Sequence, residues 1–177
     1  KNSDSGIEVR VHPSFIKNTH PLASVNDSYN AVYITGDCVE DVMLYGRGAG
    51  ALPTGSAIVG DIIYCATHSN YQYSTFKNTE DAAPGTKFVE NFESAYYIRM
   101  NATDKPGVLA KVSSVFAKCK ISVAQMSQER EPVGEDGTVP LIFITHVTRE
   151  HNVKKAVQMI SESQEVAKIA AVIRVVS

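Results

Sequence analysis

The sequence has no long apolar run and no excess of one charge. No stretch approaches the roughly 18 consecutive apolar residues that a membrane-spanning helix needs, and the polar start of the chain is unlike a signal peptide. We therefore expect a cytoplasmic protein with no membrane partner. Seventeen basic and nineteen acidic residues give a formal net charge of −2. This balance argues against a nucleic-acid partner, because such proteins usually carry a basic surface.

Cysteine is scarce and scattered. The three cysteines, Cys38, Cys65 and Cys119, include no C-x-x-C pair. This pattern predicts buried, reduced thiols and argues against a disulfide framework or a zinc site. The histidines have no metal-ligand spacing either, so no metal is expected.

A polar stretch divides the chain over about 67–90, where the sequence reads THSNYQYSTFKNTEDAAPGTKFVE. It has neither helical nor strand periodicity and contains a Pro-Gly pair. Because a loop of this length is unusual inside one compact domain, we divide the chain into a first unit at 1–68, a linker at 69–93 and a second unit at 94–177.

The second unit alternates between strand and helix patterns. The predicted elements are, in order, a strand at Ala95–Asn101, a helix from Asp104 to Cys119, strands at Ile121–Glu131 and Val139–Thr148, a helix at Glu150–Ser161 and a strand at Ile169–Val176. Asp104 is the expected N-cap of the first helix, with Pro106 in its first turn. The residues 131–137, which end in Asp136-Gly137, are expected to form a hairpin turn.

This β-α-β-β-α-β order predicts an α+β, ferredoxin-like fold with both helices on one face of the sheet. The opposite face is expected to pair with a second copy.

The first unit has fewer apolar residues from which to form a core. A strand within Gly6–Ile16, a hairpin of Asn30–Asp37 with Val39–Gly46, and a helix at about Pro53–Ala66 make a marginal core. We expect a partial α/β segment that completes a larger sheet.

Two turns are candidates for binding a ligand. In Tyr45–Thr54 (YGRGAGALPT), glycines between a strand and a helix permit close approach to an anionic group. The run matches neither the G-x-G-x-x-G nor the Walker pattern, and a purely structural tight turn is the alternative. In Asp104–Leu109, helix N–H groups can hold a carboxylate and Asp104 can pair with an ammonium group. Here the alternative is a well-capped helix without a ligand.

The phrases VRVHPSFI, NAVYITGD and MLYGRGAGALPTGSAIVGDI resemble the C-terminal end of the catalytic region of homoserine dehydrogenases, over roughly Gly6–Ala66. The resemblance implies an enzyme that interconverts aspartate semialdehyde and homoserine with NADP or NAD, in threonine and methionine biosynthesis. It implies cofactor contacts at Gly48 and Gly50, next to Arg47, which stands where many members have proline.

The same resemblance implies that the Rossmann domain and the catalytic residues of the family lie upstream of Lys1. We therefore expect no catalytic residue in this chain. Alone, the chain is expected to hold no cofactor and to be inactive.

The phrase DKPGVLAKV, followed by ISVAQ, resembles ACT domains over about Ser94–Val176. The resemblance implies a homo-oligomer, a dimer or larger, regulated by an effector amino acid such as threonine. The implied effector contacts are Asp104, Lys105, Pro106, Gly107, Val108 and Leu109, with Gln125, Met126 and Ser127 in range from the second strand. The alternative is an ACT-type domain that only mediates oligomerisation and binds no ligand.

Overall fold

A computed structural model describes residues 2–3, 6–68, 84–128, 137–163 and 166–176. Its contacts separate two compact units: a larger unit of Lys1–Phe15 with Thr86–Ser177, and a smaller unit of Ile16–Gly85. The segment up to Phe15 therefore belongs with the larger unit. The sequence-based limits of 1–68, 69–93 and 94–177 follow the family resemblances and stay a prediction.

The chain contains ten described strands and three described α-helices. The strands are β1 (Asn2–Ser3), β2 (Gly6–Ile7), β3 (Ser14–Ile16), β4 (Tyr29–Thr35), β5 (Asp41–Arg47), β6 (Glu93–Thr103), β7 (Val123–Gln128), β8 (Thr138–Thr145), β9 (Thr148–Arg149) and β10 (Val166–Val176). The helices are α1 (Ala51–Thr67), α2 (Val108–Lys118) and α3 (Glu150–Ser161), with a 3-10 turn at Pro21–Ser24. None of these helices is long and apolar enough to cross a membrane.

The larger unit has the predicted β-α-β-β-α-β order. Its four long strands are antiparallel to their neighbours and lie in the order β10-β6-β8-β7. The short strand β3 lies beside β10, and β9 pairs with the start of β6. The α+β, ferredoxin-like fold class is thus confirmed, with strands that differ from the predicted limits by a few residues.

The core lies on one face of this sheet. Tyr96, Ile98, Met100 and Ala102 alternate along β6 and are buried in one cluster with residues of both helices. The rings of Phe116 on α2 and Phe143 on β8 meet edge to face, with centroids 5.1 Å apart. The buried helix residues recur every three or four positions, as one helix face requires; they are Val108, Val112 and Phe116 on α2, and Val153, Ala156 and Ile160 on α3.

The start of α2 differs from the prediction. The helix begins at Val108, and its N-cap is Gly107, whose φ of +91° lies in the left-handed region. Asp104 is therefore not the N-cap, and Pro106 precedes the helix. The reason is that β6 continues to Thr103, and the N–H of Lys105 bonds to the carbonyl of Thr103 over 3.0 Å. The strand then leads through a tight turn into the helix. Of the hairpin turn predicted at 131–137, only Gly137 is among the described residues.

The smaller unit contains the predicted hairpin and helix. Strands β4 and β5 pair from Tyr29 opposite Arg47 to Thr35 opposite Asp41. The strand predicted within Gly6–Ile16, nearly all of which belongs to the larger unit, is reduced to β2 and β3 at its two ends. No side chain of α1 is buried. Cys38 and Cys65 are exposed and only Cys119 is buried, so the prediction of three buried thiols is wrong, because one hairpin and one helix enclose no core.

Candidate functional site

The turn between β6 and α2 surrounds a cavity of about 180 Å³. All six residues of the predicted segment Asp104–Leu109 line it. The remaining lining residues come from the ends of three strands; they are Thr103, Gln128, Val139 and Leu141. The cavity is smaller than the roughly 300–1,000 Å³ of drug-sized ligand sites. Its size suits a small metabolite.

The backbone at this turn presents hydrogen-bond donors. The first N–H to bond in the α-helical pattern is that of Lys111, which reaches the carbonyl of Gly107 over 3.0 Å. The N–H groups of Leu109 and Ala110 precede it and have no acceptor within the helix. No side chain caps the helix start. The N-terminal end of α2 therefore offers a partial positive charge that suits a carboxylate.

The side chains around the cavity complement a second charge and an apolar group. The Nε2 of Gln128 donates to Oδ1 of Asp104 over 3.4 Å, which links the end of β7 to the turn. The Asp104 carboxylate can accept hydrogen bonds from an ammonium group. Val139 and Leu141 are buried and apolar. Together with the helix start, these groups match the carboxylate, the ammonium and the side chain of a free amino acid.

Gln125 and Met126 do not line this cavity, whereas Gln128 does. Strand β7 is antiparallel to β8, with Gln125 opposite Ile144 and Gln128 opposite Leu141. Because a strand advances about 3.3 Å per residue, Gln125 lies about 10 Å farther from the turn than Gln128 does. Because β7 and β8 are antiparallel, the end of β7 lies beside the start of β8, which lines the cavity. The last residue of β7 is therefore the one nearest to the turn. The effector role of Gln125 and Met126 stays a prediction.

The glycine-rich segment forms the connection between β5 and α1. Gly48 borders a shallow cavity of about 260 Å³ over the hairpin, which Gly50 does not line. A Cβ atom at Gly48 would overlap the present position of the Asn30 side-chain amide, so a larger residue here would displace that side chain. Gly50 is the N-cap of α1 and has a φ of +128°. The predicted cofactor contacts at both glycines stay predictions.

Arg47 is held beside this glycine turn. Its guanidinium carbon lies 4.7 Å from the centre of the Tyr29 ring, and its Nη1 donates to Oγ of Ser28 over 3.2 Å. The Tyr29 ring stacks on Tyr45 with centroids 4.8 Å apart. These contacts fix the arginine side chain against the hairpin, and they leave the Gly48 backbone in place, with its N–H bonded to the Ser28 carbonyl over 3.1 Å.

Comparison with protein families matches both parts of the chain. Residues 2–63 match the homoserine dehydrogenase family model, and residues 96–162 match the ACT domain model. A homoserine dehydrogenase of Pseudomonas aeruginosa is 33% identical over 187 aligned residues, which cover 99% of this chain. That of Synechocystis is 36% identical and covers 97% of the chain. The chain is thus similar to homoserine dehydrogenases over nearly its whole length.

Its extent is that of the C-terminal part of such proteins. The chain spans about two fifths of the relatives it matches, 42% of the Pseudomonas protein and 40% of the Synechocystis protein. A crystal structure of a homoserine dehydrogenase from Thiobacillus denitrificans is similar over the full chain, with a TM-score of 0.81 and 34% identity, and 41% of that protein is covered. The family resemblance of the sequence is thereby confirmed.

Proposed function

We propose that this chain is the C-terminal regulatory part of an NAD(P)-dependent homoserine dehydrogenase, and that its ACT domain binds an effector amino acid. The complete enzyme interconverts aspartate semialdehyde and homoserine in the biosynthesis of threonine and methionine. The effector is threonine or a related amino acid, and it binds between Asp104 and Leu109. This proposal rests on the cavity that these residues line together.

The binding mode follows from the chemistry of the turn. The ligand carboxylate accepts hydrogen bonds from the N–H groups at the start of α2, and Lys105 adds a positive charge. The ligand ammonium group lies against the Asp104 carboxylate, which Gln128 orients through its 3.4 Å hydrogen bond. The ligand side chain points toward Leu141. An effector acts only if it binds two conformations of the enzyme with different affinities.

Thermal unfolding of the chain in the presence of amino acids tests this function. The series is threonine, serine, methionine, isoleucine, valine and homoserine, each at millimolar concentration. A ligand at ten times its dissociation constant stabilises the folded state by roughly 1.4 kcal/mol, which raises the unfolding midpoint by a few degrees. A shift with one amino acid identifies the effector. A folded chain whose midpoint does not move with any of them contradicts the proposal.

A second function, assembly of subunits, is supported by the sheet face that the helices do not cover. Tyr97, Arg99 and Asn101 lie on this face, because they alternate with the buried residues of β6. The Nε of Arg99 and the Oδ1 of Asn101 have no solvent contact and no hydrogen-bond partner among the described residues. One is a donor and the other an acceptor, two residues apart on one strand. A second copy packed on this sheet face would cover it further, and a two-fold dimer is the commonest such arrangement.

The smaller unit belongs to the dehydrogenase part of the proposed complete enzyme. Its glycine turn at Gly48 and Gly50 lies against the nicotinamide cofactor, NADP or NAD, in the complete enzyme. Its exposed apolar side chains, such as Leu52 at 86% and Ile62 at 62% exposure, pack against the upstream Rossmann-containing part. The cytoplasm is the compartment in which such a biosynthetic enzyme operates.

A further inference from the structure

A second and larger cavity lies at the other end of the larger unit. It has a volume of about 570 Å³ and is formed by the start of β6, the end of α2 and the segment that leads into α3. The amino-acid turn described above lies at the end of β6 and the start of α2. The two cavities are therefore at opposite ends of the same strand and the same helix, and they share no lining residue.

The charges around the larger cavity are mostly positive. Lys118, Lys120, Arg149 and Lys155 line it, and the only carboxylate among its lining residues is that of Glu93. Arg149 already pairs with Glu93 over 3.3 Å. In the described part of the chain, no acidic side chain pairs with any of the three lysines. This local excess of positive charge contrasts with the net charge of −2 of the whole chain.

Lys120 occupies a backbone position that favours glycine. Its φ is +59°, and it directly follows the end of α2, where the N–H of Ile121 bonds to the Phe116 carbonyl over 2.9 Å. Glycine is the usual residue at this point of such a helix end, because a Cβ atom is unfavourable there. A lysine in a strained conformation at the edge of a basic cavity is the kind of outlier that points to a function.

An imidazole N–H donor adds to the site. The backbone N–H of His151 bonds to Oδ1 of Asn91 over 3.2 Å, which fixes the orientation of the Asn91 amide. The Nδ2 of Asn91 therefore donates to Nδ1 of His151 over 2.8 Å. Because Nδ1 accepts this hydrogen bond, the ring hydrogen of His151 lies on Nε2. His151 lines the cavity and can donate from that atom to an anion.

We propose that this cavity binds a small molecule that carries a pyrophosphate group or an equivalent pair of phosphates. The volume falls within the roughly 300–1,000 Å³ of small-molecule sites. Three unpaired lysines suit a ligand with several negative charges, because a lysine binds phosphate as a compact point charge. The single carboxylate is already paired with Arg149, so the charge of the site favours an anion over a cation. The site is separate from the proposed amino-acid site.

Calorimetric titration of the 177-residue chain with inorganic pyrophosphate tests this proposal. The wild-type chain is expected to bind at low salt and to bind more weakly as ionic strength rises. The double variant Lys120→Gln/Lys155→Gln is expected to lose at least about tenfold in affinity, because two charges leave the cavity. Lys168→Gln is the control, since Lys168 is exposed on β10 and does not line the cavity.

The variant Lys120→Gly separates binding from folding. It relieves the left-handed backbone strain, so it should raise the unfolding midpoint and still weaken pyrophosphate binding. No binding at about millimolar pyrophosphate in low salt overturns the proposal. Equal losses in Lys168→Gln and the double variant overturn it too, because they indicate a general charge effect. Competition by ADP assigns the bound group to a nucleotide, and its absence assigns it to a phosphate compound without a base; both support the site.

Discussion

Arg174 on β10 and Glu150 at the start of α3 form a charged contact that ties the last strand to the helix layer. The Nε and Nη2 of Arg174 donate to Oε2 of Glu150 over 3.1 and 2.5 Å. The hydroxyl of Tyr96 on β6 donates to the same oxygen over 3.1 Å. The Arg174 and Glu150 side chains are only 20% and 12% exposed. One carboxylate thus joins β6, β10 and α3.

Replacing Arg174 should therefore destabilise the larger unit. We expect Arg174→Met to lower the free energy of unfolding by about 1–3 kcal/mol, because it leaves a largely buried carboxylate without its main donor. Lys154→Met is the matched control. Lys154 contacts the other oxygen of Glu150 at 3.3 Å but is 75% exposed, so its loss should cost no more than about 0.5 kcal/mol. Urea unfolding of both variants measures the difference, and equal losses would contradict this interpretation.

The effect of Arg174→Met should depend on pH. Burial raises the pKa of Glu150, but hydrogen bonds from Arg174, Lys154 and Tyr96 outweigh burial, so the pKa lies below its ordinary value. A lowered pKa in the folded state means that the stability is present above the unfolded value of about 4.3. It is lost as the pH falls through the folded value. The gap between wild type and variant should shrink in acid, and a gap that grows there is incompatible with this pair.

Assembly through the open sheet face predicts a charge-sensitive oligomer. Asn101→Lys should dissociate it, because a longer, charged side chain would have to be buried between the two copies. Gln158→Lys introduces the same charge on the exposed side of α3 and should leave assembly unchanged. Sedimentation velocity measures the mass of each variant. An Asn101→Lys chain that assembles like wild type excludes this face as the interface.

Replacing an exposed isoleucine on α1 and a buried isoleucine on β6 should change the stability by very different amounts. Ile62 is 62% exposed and Ile98 is fully buried. Ile62→Glu should change the free energy of unfolding by less than about 0.5 kcal/mol and should reduce binding of a hydrophobic dye. Ile98→Ala should cost about 2–5 kcal/mol, because it leaves a cavity in the core. A large loss of stability in Ile62→Glu would show that α1 is already packed in this chain.

The chain by itself should not oxidise homoserine. The proposed cofactor contacts at Gly48 are backbone contacts alone, and the sequence does not contain the complete G-x-G-x-x-G fingerprint with its third glycine. Absorbance of reduced nicotinamide, followed with homoserine and either NADP or NAD, measures the activity. Turnover above background by the purified chain contradicts the assignment of the chain to a regulatory part.

Elements with a strong apolar period were predictable. The helix at Glu150–Ser161 has the predicted limits, because Val153, Ala156 and Ile160 repeat at helical spacing. The cap of α2 was not predictable in the same way. Asp104 and Pro106 have the residue types of a helix start, yet β6 extends to Thr103 and the tight turn leaves capping to Gly107. Strand pairing overrides the local preference of these residues.

The candidate site was predictable only in its local part. Asp104–Leu109 are adjacent in sequence, so any fold that forms the turn brings them together. Gln128 reaches the turn through the register of β7 on β8, which shifts between Val123 and Gln125. Registers of this kind depend on pairing across the sheet, and a change of one residue moves every side chain to the other face. The basic cavity could not be predicted from the sequence for a similar reason. Lys120 and Arg149 are far apart along the chain, and only the folded structure brings both to the same cavity.

Binding of the effector at the β6–α2 turn is most directly tested by calorimetric titration of three chains with threonine: wild type, Asp104→Asn and Glu162→Gln. The first variant removes the charge opposite the ligand ammonium group, and the second makes the same kind of change at the exposed end of α3. We predict saturable binding to wild type and to Glu162→Gln, with at least about tenfold weaker binding to Asp104→Asn. Binding of equal affinity to all three chains would contradict the proposed site.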